Sequence, residues 1–230
     1  MTRQAKRTIR SFVKREGRMT AGQQAALQEN WHRYGINVSE PEQIKILCSQ
    51  SMKHIVLDIG IGNGEALVEQ ALKEPEKQFI GVEVHRPGLG HCIQRMLAEN
   101  IDNIKLVNDD VMLLFAQLPS NTIDTVQLYF PDPWPKKRHH KRRLLALEFL
   151  KVLVRVCKPG AILHMATDWE DYANESMALL SSHPSFHNTM VNAAFAERPQ
   201  WRPITKFERR GLNLGHQVFD LIFTVNPTHD

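Results

Sequence analysis

Residues 55–64 read IVLDIGIGNG, an apolar, β-like run that reaches an acid, Asp58, and then turns through three glycines, Gly60, Gly62 and Gly64. Absent side chains in such a loop let a ligand approach the backbone and let a helix begin close by. Outward from it the patterns alternate. Helix-like 66–72 is followed by strand-like 79–84, helix-like 90–99, strand-like 104–107 and a short helical piece at 112–117. Strand 126–130, a helix over about 142–156 and strand 162–166 come next. Alternation of this length implies an α/β fold with a doubly wound, mostly parallel sheet. Ligands in such sheets sit beyond the carboxyl ends of the strands, near the switch in strand order.

The residues at those strand ends narrow the ligand. A dinucleotide fingerprint needs its third glycine three residues after the second, whereas here the glycines fall at 60, 62 and 64. Glu65 then puts a negative charge where a pyrophosphate would want the helix N-terminus. A nucleoside without phosphates fits better than NAD. The second strand ends in Glu83, which can accept two hydrogen bonds from a ribose diol. After the third strand, Asn108-Asp109-Asp110 offers an acid or amide to an adenine edge, although such residues are also common in loops. Three acids at successive strand ends suit a cationic ligand that carries an amino acid and a ribose. S-adenosylmethionine is such a ligand.

The most distinctive stretch is 126–143, VQLYFPDPWPKKRHHKRR. Pro131 and Pro133 stop strand pairing and fix φ on both sides of Asp132, so the carboxylate hangs on a stiff turn. The plainer alternative is that Asp132 caps a following helix and Trp134 is core. His139 and His140 read as solvated or phosphate-facing, since nothing nearby completes a metal coordination set. After the fifth strand, HMATDWE (164–170) places Asp168 and Trp169 at the crevice, with an N-cap as the alternative role for Asp168. Residues 202–211 read as a polar, mixed-charge loop before the apolar 218–225.

The charge is local. The net charge is +4, yet residues 136–143 carry +6 and the first eighteen residues, seven cations against Glu16, carry another +6, which leaves the rest of the chain at −8. Two basic patches on an acidic body suggest a polyanion gripped at chosen places. The basic N-terminus lacks the apolar core of a signal peptide, and the apolar 144–157 is interrupted by Glu148, Lys151 and Arg155, which disfavours secretion and membrane spanning. Cys48, Cys92 and Cys157 form no CxxC pair and read as free thiols in a reducing cytoplasm. With 230 residues, 42% hydrophobic, the chain divides into a basic N-terminal extension, 1–50, and one large domain, 51–230.

Taken together, DIGIGNG, GVEVH, FPDPWPKKRHHKRR, HMATDWE and TKFERRG resemble, in order and spacing, the bacterial tRNA (guanine-N7)-methyltransferase family, and the resemblance extends to residues 9–15 and 17–20. It implies a Rossmann-like class I S-adenosylmethionine-dependent methyltransferase fold and transfer of a methyl group to N7 of a tRNA guanine, guanine 46 of the variable loop. By the same resemblance Asp58, Glu83 and Asp109 contact S-adenosylmethionine beside Gly60, Gly62 and Gly64. Asp132 is implied as the catalytic acid, also at the cofactor. Lys136, Asp168, Thr205, Lys206, Phe207 and Glu208 are implied to bind the substrate, and Arg138, His139, His140, Lys141, Arg142 and Arg143 the RNA. No metal, membrane or stable protein partner is implied. Competing readings are methylation of an exocyclic amine, an RNA-binding protein with a vestigial cofactor fold, and an NAD dehydrogenase, the last disfavoured by the glycine spacing.

Overall fold

A computed structural model describes residue 12 and residues 17–50, 53–213 and 215–226 of the chain. Its centre is β2 (Ile55–Ile59), whose five residues are all buried because helices cover both faces of the sheet. Around it stand β1 (Gly35–Ile36), β3 (Gln78–Val82), β4 (Ile104–Val107), β5 (Ile123–Tyr129), β6 (Cys157–Thr167), β7 (Phe186–Asn188) and β8 (Phe219–Val225). They form one sheet in the order β1-β4-β3-β2-β5-β6-β8-β7. Every pairing from β1 to β6 is parallel, and only β8 runs antiparallel to its neighbours β6 and β7. The winding reverses between β2 and β5, where Val56, Leu57 and Asp58 pair with Thr125, Val126 and Gln127.

Two apolar layers hold the sheet. On one face α1 (Ala21–Tyr34), α3 (Glu65–Lys73) and α4 (Arg86–Ala98) pack Leu27, Leu67, Val68, Leu89 and Met96 over Val56, Phe79 and Leu106. On the other, α2 (Pro41–Gln50), α5 (Val111–Gln117), α6 (Leu147–Val156) and α7 (Glu170–Ser182) cover Leu57, Ile80, Val126 and Leu163. The amphipathic α6 shows why these helices form: Phe149, Leu150, Leu153 and Val156 fall on one side and are buried, while Glu148, Lys151 and Arg155 fall on the other.

The extension and the domain meet on the sheet. Thr20 caps α1 through a capping box with Gln23, α1 packs on α4, and β1 pairs with β4. The basic cluster at the N-terminus lies, apart from Phe12, Gly17 and Arg18, outside the described residues.

Strands β1 and β7 and helix α2 were not anticipated, β5 and β6 begin earlier than expected, and two further stretches fold otherwise than read. No α-helix begins at 142: a 3-10 helix (Lys137–Arg142) ends there, Ala146 is extended, and α6 starts at Leu147. The chain is held straight because Arg143 is drawn down onto the carbonyl of Pro133 and the acids of α7. The supposed loop 202–211 contains α8 (Lys206–Asn213), whose first turn is capped by the Thr205 hydroxyl accepting from Glu208 N–H at 3.1 Å. A Thr-x-x-Glu pattern signals such a cap, and Thr205-Lys206-Phe207-Glu208 supplies it.

Gly64 joins β2 to the first helix after it. It stands at φ +74°, and a Cβ there would lie 2.3 Å from the Cys92 sulfur of α4. Gly64→Ala is therefore expected to lower stability by about 2–4 kcal/mol from left-handed strain and overpacking together, read from the urea midpoint at unchanged slope.

Candidate active site at the strand switch

Where the winding reverses, a cavity of about 650 Å³ opens beyond the ends of β2, β3, β4 and β5. Gly60, Gly62, Glu83, His85, Asp109, Asp110, Tyr129, Phe130, Asp132 and Trp134 are among its lining residues. The glycine loop holds its shape through positive φ at Gly60, Gly62 and Gly64. Helix α4 comes so close that a Cβ on Gly88 would lie 2.2 Å from the Gly62 carbonyl oxygen. That approach leaves the inner side of the loop as bare backbone facing the cavity.

Glu83 closes the loop from the next strand. Gly62 N–H donates to its Oε2 and His85 N–H to its Oε1, both at 2.8 Å. Burial raises its pKa, while those two donors work against the rise. A carboxylate so fixed keeps one lone pair per oxygen for a diol. The acid doublet after β4 divides its roles. Asp110 accepts from Met112 N–H at 3.0 Å and caps α5, whereas Asp109, a lining residue of the cavity, accepts the N–H of Asp110 at 2.8 Å and has no other partner among the described residues.

Asp58 is placed otherwise than expected. It is 4% exposed, does not line the cavity, and is pushed up to about 7 by burial and by the nearby Glu83.

Asp132 stands at the rim, exposed, with no hydrogen-bond or ion-pair partner among the described residues. It caps no helix. Besides the two prolines, Phe130 and Trp134 hold the turn at φ 51° and 46°. Left-handed backbone at two bulky residues costs roughly 1–3 kcal/mol each, and the turn it shapes places Asp132 among the lining residues of the cavity.

The cationic arm is only partly free. Lys136, Lys137, Arg138 and Lys141 are exposed. Arg142 lies over the Trp134 ring at 4.9 Å, and His139 stands edge-on to the same ring at 6.0 Å. His140 sits 3.5 Å from Glu175 and 3.8 Å from Asp171. Arg143, counted above with the RNA-facing cations, is 3% exposed. It bonds Asp171 at 2.6 Å, Glu175 and the Pro133 carbonyl, and covers the Tyr172 ring at 4.7 Å. Its fork fastens the arm to α7 and leaves nothing for phosphate.

Beyond β6, Asp168 is part-exposed and 3.4 Å from His216, beside Gly211 of α8. Lys206 and Phe207 follow Thr205 into the first turn of α8. Glu208 is not presented to a substrate, because it is 3% exposed and both its oxygens bond Arg202, at 2.6 and 2.9 Å.

Comparison with known proteins agrees with this geometry. Residues 52–221 match the family described as a putative methyltransferase. A tRNA (guanine-N(7)-)-methyltransferase of Halorhodospira halophila is 49% identical over 96% of this chain and 96% of its own. One of Nitrosococcus oceani is 47% identical over 94% of this chain and 91% of its own. Among solved structures, the 16S rRNA methyltransferase KamB shares the fold, with a TM-score of 0.59 at 17% identity over 81% of this chain and 94% of that one.

The raised pKa of Asp58 sets a pH dependence. Its folded value exceeds its unfolded value, so its contribution to stability is full below about pH 4 and is lost as pH rises towards about 7. Asp58→Asn removes that loss. The variant is expected to gain on the parent by up to about 4 kcal/mol between pH 4 and pH 8, measured as the difference of urea unfolding curves at the two pH values.

Proposed function

The chain belongs to the bacterial tRNA (guanine-N7)-methyltransferase family, and from that premise we propose that it transfers a methyl group from S-adenosylmethionine to N7 of a tRNA guanine, guanine 46 of the variable loop. The observation that carries this reading is the shared cavity: a bare glycine loop, a backbone-clamped Glu83 and the rim acid Asp132 all face one space at the strand switch.

The residues fit the cofactor. Glu83 would hold the ribose hydroxyls, Asp109 would accept from the adenine edge, and the Gly60–Gly62 backbone would lie against the amino-acid part. Glu83 brings negative charge to the cavity wall, and a cationic ligand there would favour the ionised form of the buried Asp58 behind it. The bound cofactor supplies an electrophilic methyl on sulfur.

Guanine N7 has an in-plane lone pair and no proton, so attack needs placement more than a strong base. Asp132 orients the purine and stabilises the positive charge that grows on it as the methyl moves. It is exposed in the protein alone, and RNA laid over it would strengthen its field by excluding screening water. N7 lies in the deep groove of an RNA helix, out of reach of side chains, so an irregular loop region such as the variable loop is the accessible target. Asp168, which follows the carboxyl end of β6, and the start of α8 are assigned to the acceptor in this reading, and the exposed cations of the arm to phosphate, held without reading sequence.

Labelled S-adenosylmethionine and unmodified tRNA, followed by strand cleavage selective for N7-methylguanine, test the reaction. A single cleavage in the variable loop is expected. Methyl incorporation without cleavage would point to an exocyclic amine, and no incorporation to a binding protein. Asp132→Ala is expected to slow single-turnover transfer about a hundredfold or more, with cofactor affinity changed far less.

Salt dependence separates the cations of the arm. Changing Lys136, Lys137, Arg138 and Lys141 to Gln is expected to flatten the slope of log K against log salt by about 3, from roughly 0.7–0.9 per phosphate contact. Arg143→Gln should instead leave the slope near its original value and lower the melting temperature. Equal slopes for the parent and the fourfold variant would remove the arm from the RNA interface.

A further inference from the structure

The largest fully buried side chain among the described residues is an arginine, Arg202, at 0% exposure, in a segment whose sequence suggests a solvated connection. Its guanidinium binds Glu208 of α8 through two bonds and Asp220 of β8 at 3.0 Å. Nε lies a further 2.7 Å from the other Asp220 oxygen. The network continues inward. Asp220 meets His164 Nε2 at 2.6 Å, and His164 Nδ1 meets the Tyr129 hydroxyl at 3.0 Å. Burial holds His164 below its usual pKa, so the neutral ring donates from Nε2 to Asp220 and accepts a hydrogen bond from the Tyr129 hydroxyl at Nδ1. The same guanidinium lies 5.9 Å above both the Tyr129 and the Phe130 rings. Tyr129 and Phe130 line the cavity, and Phe130 begins the turn that carries Asp132.

One cation thus touches the last strand, the first turn of α8 and the aromatic end of β5. Burying an unneeded arginine is unfavourable, and a lysine cannot satisfy this fork of partners. The glycine loop, Glu83 and Asp109, by contrast, belong to the β2–β4 half and make no bond to it. We propose that Arg202 is the positioning residue of the acceptor half of the site: it locks the Phe130–Asp132 turn to the start of α8 and leaves the cofactor half to assemble on its own. This rests on the methyl-transfer reading above. Looser ties run to α3, from α8 through Arg209 to Glu65 at 3.5 Å and from the segment before it through the Trp201 carbonyl to Gln70 at 3.2 Å, and do not depend on Arg202.

The test compares two quantities in Arg202→Lys. Calorimetric affinity for S-adenosylmethionine should stay within about twofold, while single-turnover transfer to unmodified tRNA should fall about a hundredfold, the effect of an ångström-scale misplacement. An unchanged rate, or affinity and rate falling by the same factor, would overturn the proposal. In Arg202→Ala, added methylguanidinium should enter the space between Glu208 and Asp220 and restore transfer at least tenfold without altering cofactor affinity. Absence of recovery in a folded, cofactor-binding protein counts against it. Amide exchange keeps the two ideas apart, for it needs no reaction: Arg202→Lys should speed exchange at 130–135 and 206–213 and leave 60–64 as before. Unchanged protection there overturns the positioning role, whereas a parent protein that transfers no methyl group overturns only the reading of function.

Discussion

The pairing of β2 with β5 is the constraint on which the rest depends. These strands are neighbours in space although two full strand–helix units separate them in sequence. The connections that leave them run to opposite sides, so their carboxyl ends part and a crevice forms without any side chain being removed. Everything chemical in the molecule is a use of that crevice. Glycines bring bare backbone to one lip, and two left-handed aromatics throw a carboxylate over the other.

The two lips are built by different physics. The β2–β4 half packs apolar side chains beneath α1, α3 and α4, and fixes its acids with backbone N–H donors. On the same face of β5, β6 and β8 stand Gln127, Tyr129, His164 and Asp220, all buried. Tyr129, His164 and Asp220 are joined there in one hydrogen-bonded chain, and Arg202 closes it by binding Asp220 and, from α8, Glu208. Such a network gives directional specificity where an apolar core gives only adhesion. The buried thiols do not compete in this chemistry, since burial pushes Cys92 and Cys157 up to about 12.

Much of this was legible in the residues. The alternation of apolar runs gave β2 and β4 to the residue, because strands buried on both faces read as unbroken apolar segments. Glu83 and Asp132 were legible because each follows a strand end and is flanked by residues with strong backbone preferences. Less visible was anything set by a distant partner. Nothing near Arg143 marks it off from Arg142, yet one is buried against the acids of α7 and the other lies on an indole. Arg202 reads as a loop cation until Asp220 and Glu208 are brought to it from other elements. Asp58 had the right place in sequence, but the pleat turns it behind the wall. Helix α8 was missed despite a local signal, its capping pattern being short and embedded in charge, and so was α2, which begins at Pro41.

The placement of β8 has a consequence for how the protein is made. The acids around the cofactor side, Asp58, Glu83 and Asp109, have all been synthesised by the time residue 110 leaves the ribosome, whereas Asp220 lies on the last strand of the sheet. Folding during synthesis proceeds from the N-terminal end, and β6 has no β8 to pair with until residues 219–225 emerge. The β2–β4 lip of the crevice therefore leaves the ribosome well before the strand that completes the other lip. The order of strands in the sheet makes transfer to RNA the last property the chain acquires.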